Sequence, residues 1–458
     1  MAIARDANER TTLLGRAVGF FVTVFERFLP DPFLFAVLLT IVTAVLALIF
    51  GLDRSFSHLL RDWVGGLFSL LEFALQMILI LVTGYALANS RAVKAGLERI
   101  AALPRSPRSA VMITLAVSTV ASWLQWGFGL VVAALLAREI AKRIRMDFGW
   151  LVAAAYTGFA VWASGPSSSI ALALATGGSK VNYPQQVTGQ IIPLAQSIFT
   201  PFNLVPVLII LVAMPLIYAA MEPAPSITVA ADPEHLKQED EATPPVQPRT
   251  FASVLENAWV LNVVLFLAGA LFLVQFWSTN GFHLDINTVI LIFLILGLLL
   301  HWRPIAYAAA VNSAARVTGP LILQYPFYGG IMGIMSGTGL AVVMAKWFIG
   351  FSTAATLPFW SYVASIIISF FVPSGGGHWA IQGPFVVPAA AQLHASQAGT
   401  AMGVAMGEQV ANMIQPFWAL PIIAIAGIGI RRVMGFTVVS FFVTFVIYGL
   451  SLLLLVPR

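Results

Sequence analysis

The chain has 458 residues, 59% of them hydrophobic and only 9% charged, whereas an ordinary soluble domain carries roughly a quarter charged residues. No soluble fold can hide that much apolar surface. The net charge is +5, but the basic residues sit in short loops between apolar runs. That is the distribution of a polytopic inner-membrane protein rather than of a phosphate-binding face, so no nucleic-acid partner is expected. The absence of cysteine excludes disulfides, cysteine-ligated zinc, iron–sulfur clusters and thiol nucleophiles.

In chain order, apolar runs of about 20 residues predict spans near 31–50, 67–89, 149–176, 201–220, 258–277, 286–301, 319–336, 400–428 and 434–455. The first follows a long charged lead, so a cleaved signal peptide is not expected. Two further runs, 111–137 and 361–390, do not fit as simple crossings. The first lies between two basic loops, one with Arg91, Lys94, Arg99, Arg105 and Arg108, the other with Arg138, Lys142, Arg143 and Arg145. Positive loops stay cytoplasmic, so both of its ends lie on one side and it enters and returns as a re-entrant helical hairpin.

Carried forward from a cytoplasmic N-terminus, this sidedness places 19 of the 24 Lys and Arg inside. The second hairpin then opens to the outside, where residues 391–399 contain no Lys or Arg. Spacings repeat as well: Gln76 to Gly127 is 51 residues and Gln324 to Gly376 is 52, while Gly127 to Pro166 is 39 and Gly376 to Pro416 is 40. Matched spacings with opposite sidedness are the signature of an inverted repeat. The predicted fold is therefore an all-α polytopic membrane protein with about nine transmembrane helices and two re-entrant hairpins. Residues 1–220 form the first half, 221–257 an acidic, Pro-rich cytoplasmic linker, and 258–458 a connecting span and the second half. Residues 304–318 are expected as an interfacial helix.

Hydrocarbon tolerates broken backbone only where protein or a water-filled cavity satisfies the freed groups, so four interruptions are informative. At Gln125-Trp126-Gly127-Phe128-Gly129 the glycines are expected to allow chain reversal and close approach of a ligand. Ser164-Gly165-Pro166-Ser167-Ser168-Ser169 should unwind the middle of its span. Pro373-Ser374-Gly375-Gly376-Gly377-His378-Trp379, followed by Gln382-Gly383-Pro384, reads as a tight turn or exposed backbone, because three glycines are costly in a helix. In the fourth, Glu408, Asn412 and Gln415 share a helical face until Pro416 breaks it, with Gln409 beside them.

Glu408 is the one charged residue in the 84 positions between Lys346 and Arg431, and an intramembrane ionisable group is a functional hypothesis by default. His378 reads either as a site residue or as a cap on its turn. The Trp and Phe residues near the breaks read as packing. Glycine amides and half-helix N-termini suit a small anion, while hydroxyls, carbonyls and a carboxyl suit Na⁺ or H⁺. No Lys or Arg lies in any interruption, which argues against a dicarboxylate or phosphate. The substrate-binding candidates are Gln125, Trp126, Gly127, Ser164, Ser167, Ser168, Ser374, Gly375, Gly376, Gly377, His378, Gln382, Asn412 and Gln415. The coupling-cation candidates, with Na⁺ as the possible metal, are Gly127, Ser164, Ser169, Ser374, Glu408, Gln409 and Asn412. No cofactor is expected beyond the coupling ion, Na⁺ or H⁺. The leading reading is a secondary transporter; a channel needs no such opposed breaks, and an intramembrane hydrolase or acyltransferase using His378 and Ser374 lacks a convincing third group, since Glu408 serves equally well as a proton or cation ligand.

At these motifs the chain resembles the short-chain fatty acid transporter family, within the ion-transporter superfamily. The stretches LPDPFLFAVLLT (29–40), WGFGLVVAALLARE (126–139), NTVILIFLILGLLLH (287–301), FFVPSGGGHWAIQGPFVVPAA (370–390) and GEQVANMIQPFWALP (407–421) carry the likeness. Gly375, Gly376, Gly377, His378 and Gln382 match the family's second hairpin, and Glu408, Gln409, Asn412, Gln415 and Pro416 its broken helix. This chain departs from the pattern at Gln125, where the family commonly has asparagine, and in a less glycine-rich third span. The resemblance implies uptake of butyrate, acetoacetate or a similar monocarboxylate across the bacterial inner membrane. It also implies cation-coupled symport, elevator-type alternating access, a homodimer and the lipid bilayer as surroundings. A carrier of another small organic anion is the alternative within transporters.

Overall fold

Apolar runs fold as helices here because short polar residues and prolines mark where they begin. The computed structural model describes residues 32–223, 228–231, 250–415, 417–419, 422, 428 and 430–457. The first half runs α1 (Pro32–Phe50), α2 (Phe56–Leu67), α3 (Leu71–Ala88), α4 (Arg91–Ile100), α5 (Pro107–Leu124), α6 (Trp126–Ala141), α7 (Phe148–Thr157), a 3₁₀ turn (Gly158–Ser164), α8 (Ser169–Ala175), the short α9 (Tyr183–Thr188) and α10 (Leu194–Ser197), and α11 (Pro201–Ala220). After the short α12 (Phe251–Glu256) come α13 (Trp259–Asn280), α14 (Ile286–His301), α15 (Pro304–Ala315), α16 (Gly319–Gly337), α17 (Leu340–Phe351), α18 (Leu357–Ser369), α19 (Gly375–Gln392), α20 (Gln397–Ala411) and α21 (Ile430–Leu454). No strand occurs among the described residues. Ser55, Ser90, Ser106, Asp147, Asp285 and Ser396 cap α2, α4, α5, α7, α14 and α20 by accepting an amide hydrogen bond from the first turn.

Six helices among the described residues are long and apolar enough to cross a bilayer, and seven if α16 and α17, bent by 76°, count as one span. The bend falls at Gly339, which sits at φ +71, the left-handed region that glycine enters at no steric cost. Two of the nine expected spans are shorter helices: α14 has 16 residues, and 400–428 is represented by α20, ending at Ala411, with much of 416–429 outside the described residues. The charged lead, most of the acidic linker and Pro416 also lie outside them.

Packing relations among the helices recur between the first and second parts of the chain. α1 and α2 pack on α16, and α14 and α15 pack reciprocally on α3, where Gln76 Nε2 donates to Asn287 Oδ1 at 3.0 Å. α3 packs on α6 as α16 packs on α19; α5 lies against α7 and the 3₁₀ turn as α18 lies against α20. The broken run from Phe148 to Ala175 is 89% buried, against 11% for α13, so the interrupted span is the centre of the molecule and α13 lies at its exposed periphery.

Two expectations about the hairpins change. The first reverses at Gln125, whose backbone is extended (φ −157, ψ 123), and the glycines follow inside α6. Gly129 is required there because a Cβ would lie 2.3 Å from Ser122 Cα of the facing arm. In the second hairpin the turn precedes the glycine run, and Gly375, Gly376 and Gly377 are the first turn of α19, which continues unbroken through Pro384. Burial against aromatic rings, described below, overrides glycine's poor helix propensity.

Candidate transport site

Three breaks converge. At the second hairpin, a Cβ on Gly375 would lie 2.4 Å from Trp162 Cη2, on Gly376 2.6 Å from Tyr325 Oη, and on Gly377 2.4 Å from the Tyr328 ring. The glycines thus let the start of α19 press into a ring cage. No side chain caps this helix, since Ser374 Oγ donates instead to Tyr325 Oη at 3.4 Å. First-turn amides have no intrahelical acceptor, so this buried N-terminus presents donors and the positive end of the helix dipole.

The other breaks are closed by their own side chains. Gln125 Oε1 accepts from Phe128 N–H and its Nε2 donates to Ile80 O, while Trp126 N–H donates to Ser167 Oγ at 3.0 Å. Ser168 caps α8. Gly165 is demanded by Trp123 O, which a Cβ would meet at 1.8 Å. Ser169 differs: its hydroxyl is buried and has no hydrogen-bond partner.

Between these elements lies a cavity of about 20 Å³ lined by Met77, Trp126, Phe159, Trp162, Ser169, Leu321, Tyr325, Ser374, Gly375, Gly376 and Trp418. It admits about one water. No charged side chain lines it. Of the predicted substrate residues, Trp126, Ser374, Gly375 and Gly376 reach this wall, as does Ser169 from the cation set. Gln125, Gly127, Ser167 and Ser168 support the tips, and Gly377 packs on Tyr328. Met77, Phe159, Trp162, Leu321 and Tyr325 also line the wall and are not singled out by the sequence; a tyrosine beside Pro326 inside an apolar span is the available signal.

His378, Gln382 and Glu408 form a second cluster with no solvent exposure. His378 Nδ1 meets Glu408 Oε2 at 2.6 Å, and its Nε2 meets Gln382 Oε1 at 2.7 Å and Ser365 Oγ at 3.1 Å. Gln382 Nε2 donates to Ser361 O at 2.8 Å. The sequence places His378 and Glu408 on separate breaks and gives no sign of Ser365.

Ser164 and Asn412, placed in both predicted sets, Gln409 from the cation set and Gln415 from the substrate set are engaged in hydrogen bonds between elements. Gln409 Oε1 accepts from Ala163 N–H at 2.9 Å and its Nε2 donates to Ser164 Oγ at 2.8 Å. Asn412 Oδ1 accepts from Trp162 Nε1 at 2.9 Å, and Gln415 Nε2 donates to Ser369 O at 2.7 Å. These bonds tie α20 to the 3₁₀ turn and to the end of α18. Each of these side-chain amide oxygens thus already accepts a hydrogen bond in this arrangement.

Ser365, His378 and Glu408 stand in the order of a serine triad, but Ser365 donates its proton to Val404 O at 2.7 Å, and Nε2 is turned to Gln382. The expected nucleophile Ser374 bonds Tyr325, not His378. Across residues 13–455 the sequence matches the short chain fatty acid transporter family. The chain belongs to that family. An Escherichia coli K12 protein provisionally assigned as a short-chain fatty acid transporter is 41% identical over 444 residues, spanning 96% of this chain and 100% of that protein. A Haemophilus influenzae Rd protein with the same provisional assignment is 38% identical over 446 residues, 96% of this chain and 99% of its own. Among solved structures, the YdaH transporter of Alcanivorax borkumensis aligns with a TM-score of 0.60 at 15% identity, covering 92% of this chain and 98% of that one. MtrF of Neisseria gonorrhoeae, described among antimetabolite efflux pumps, aligns at 0.50 and 14% identity over 95% of this chain and 97% of its own. At these identities the likeness is one of fold. This short-chain fatty acid transporter family member is thus a multi-pass membrane transporter and not an enzyme.

Proposed function

We propose that the protein takes up short-chain monocarboxylates such as butyrate or acetoacetate by cation-coupled symport across the bacterial inner membrane. One observation carries the reading: the uncapped, buried N-terminus of α19 faces a small cavity whose wall is aromatic and aliphatic, with the hydroxyls of Ser169, Ser374 and Tyr325 and no Lys or Arg. Amide donors and the unpartnered Ser169 hydroxyl suit one carboxylate, and the rings suit a short alkyl tail. A second carboxylate would have no basic partner. The recurring helix packing supports an inverted repeat with elevator-type alternating access. The Lys and Arg distribution supports a cytoplasmic N-terminus. A homodimer would cover part of the apolar surface that α13 exposes.

Counterflow tests the function. Proteoliposomes loaded with unlabelled butyrate should accumulate labelled butyrate transiently with no ion gradient, because a carrier exchanges substrate across both faces. Short-chain acids also cross bilayers unassisted in their protonated form, so the signal must exceed that of protein-free vesicles. Equal uptake in both, or uptake without counterflow, would refute carrier function.

A further inference from the structure

Two hydrogen bonds determine the protonation of His378. Gln382 gives its amide N–H to Ser361 O, so its Oε1 faces the ring as an acceptor; Ser365 has already given its proton to Val404 O and can only accept. Nε2 must therefore carry hydrogen. A separation of 2.6 Å between Nδ1 and Glu408 Oε2 then requires one more proton between those two atoms, because a lone pair facing a carboxylate at that distance is repulsive. Whether that proton resides on nitrogen or on oxygen, the pair as built is neutral overall. The other carboxyl oxygen, Glu408 Oε1, is buried with no hydrogen-bond partner, so nothing on its far side stabilises a free carboxylate.

The pair adjoins the anion site. His378 N–H donates to Ser374 O at 2.6 Å, so the ring leaves α19 one turn after Ser374, Gly375 and Gly376, which line the cavity. The titratable groups that feel the Glu408 carboxyl are phenols, Tyr325 and Tyr328 on α16 and Tyr156 on α7, all buried. Glu72 on α3, Lys346 on α17 and Arg432 on α21 are exposed, and Asp147, buried at the start of α7, is bonded to the Trp150 and Val229 amides. Among the described residues no Lys or Arg is paired with Glu408.

Resting on the reading above that this cavity takes a monocarboxylate, we infer that the His378–Glu408 pair is the proton carrier of a one-proton symport. When the pair holds its proton it is neutral, and a carboxylate can dock at the α19 N-terminus one turn away. When it releases the proton, a net negative charge stands beside that position and the anion is repelled. In the same step the Nδ1 lone pair opposes the carboxylate, so α19 and α20 are pushed apart. Anion and proton therefore bind together and leave together, and linkage makes the dependence reciprocal.

The test uses the full chain in detergent, where unassisted permeation plays no part. Butyrate, ionised above pH 6, is added pH-matched to weakly buffered protein between pH 6 and 9, while proton uptake is read with a pH indicator and binding with labelled butyrate. Above the pH at which the pair releases its proton, the butyrate Kd should rise tenfold per pH unit, and uptake should approach one proton per butyrate bound. Glu408→Gln can still donate to Nδ1 but cannot titrate. It should bind butyrate with a pH-independent Kd and take up no proton. A wild-type Kd flat from pH 6 to 9 with no proton uptake overturns the inference, as does an affinity that follows Na⁺ and not pH; neither touches the function if counterflow persists. Proton uptake that survives in Glu408→Gln also overturns it. Absence of butyrate binding and counterflow at every pH removes the transport reading itself.

Discussion

Two serines five residues apart should respond oppositely to the same substitution. Ser169 Oγ is buried without a partner and faces the cavity, so Ser169→Ala removes no hydrogen bond and relieves an unsatisfied group. Stability should be unchanged or rise by up to about 1 kcal/mol. If the hydroxyl donates to a bound carboxylate, the lost charge-assisted bond is worth roughly 1.5–3 kcal/mol, or about 10- to 150-fold in butyrate Kd. Ser164 Oγ instead accepts from Gln409 Nε2 and donates to Tyr448 Oη. Ser164→Ala strands a buried amide and should cost about 1–3 kcal/mol of stability, with butyrate affinity near wild type. Thermal unfolding in detergent and equilibrium binding of labelled butyrate read the two effects separately. A destabilised Ser169→Ala with unaltered affinity would show that its hydroxyl is a packing group and that the cavity is not the carboxylate site.

Other substitutions and ligands test other parts of the construction. Competition by a series of straight-chain acids should strengthen by up to roughly 0.8 kcal/mol per CH₂ and then weaken abruptly; succinate competing best would refute the monocarboxylate assignment. Gln125→Ala removes the cap of α6 and should lower stability by about 1 kcal/mol, seen as a shifted unfolding transition in detergent. Cysteines placed singly at Ser106 and Ser396 of the cysteine-free chain should label from the cytoplasm and the outside respectively, and labelling of both from one side would defeat the inverted repeat. Gly403→Ala puts a Cβ 2.3 Å from Pro358 O, a backbone atom; it should cost about 1–3 kcal/mol by unfolding, and a neutral result would mean that α18 and α20 are not held in backbone contact.

The sequence was most informative where local chemistry sets the structure. Helix α14 starts and stops where the apolar run does because Asp285 caps it with Thr288, and α11 begins at Pro201, where a first-turn proline loses no hydrogen bond. The break at 165–168 followed from Gly165, Pro166 and the serines. Glycine was misread wherever tertiary contact decided its role: the triplet at 375–377 looks like a turn until Trp162, Tyr325 and Tyr328 are seen to fill the space that side chains would need. The same misreading hid the His378 cluster. Gln382 lies four residues after His378, one helical turn, but that spacing carries meaning only if α19 is a continuous helix. The bond to Glu408, thirty residues on, depends on the register of α19 against α20 and has no local trace.

The cavity is too small for a four-carbon anion, which has several times the bulk of the single water that fits, so substrate entry requires movement at its walls. The packing indicates where movement is cheap. α2 crosses α16 backbone to backbone, with Gly66 and Gly333 in positions where a Cβ would lie 2.3 Å from Gly329 O and Asp62 O. α20 is pressed on α18 through Gly403 and Gly407 at four-residue spacing, the small-residue seam of tightly packed membrane helices. Neither contact can slip without losing close packing along its length. α19 is held differently, by rotatable rings around its first turn, by the His378–Glu408 bond to α20 and by the bonds of His378 and Gln382 to Ser365 and Ser361 of α18. The least costly opening is therefore a displacement of α19 away from the α18–α20 pair, and of the bonds that must yield for it the His378–Glu408 contact is the one whose strength depends on a single proton.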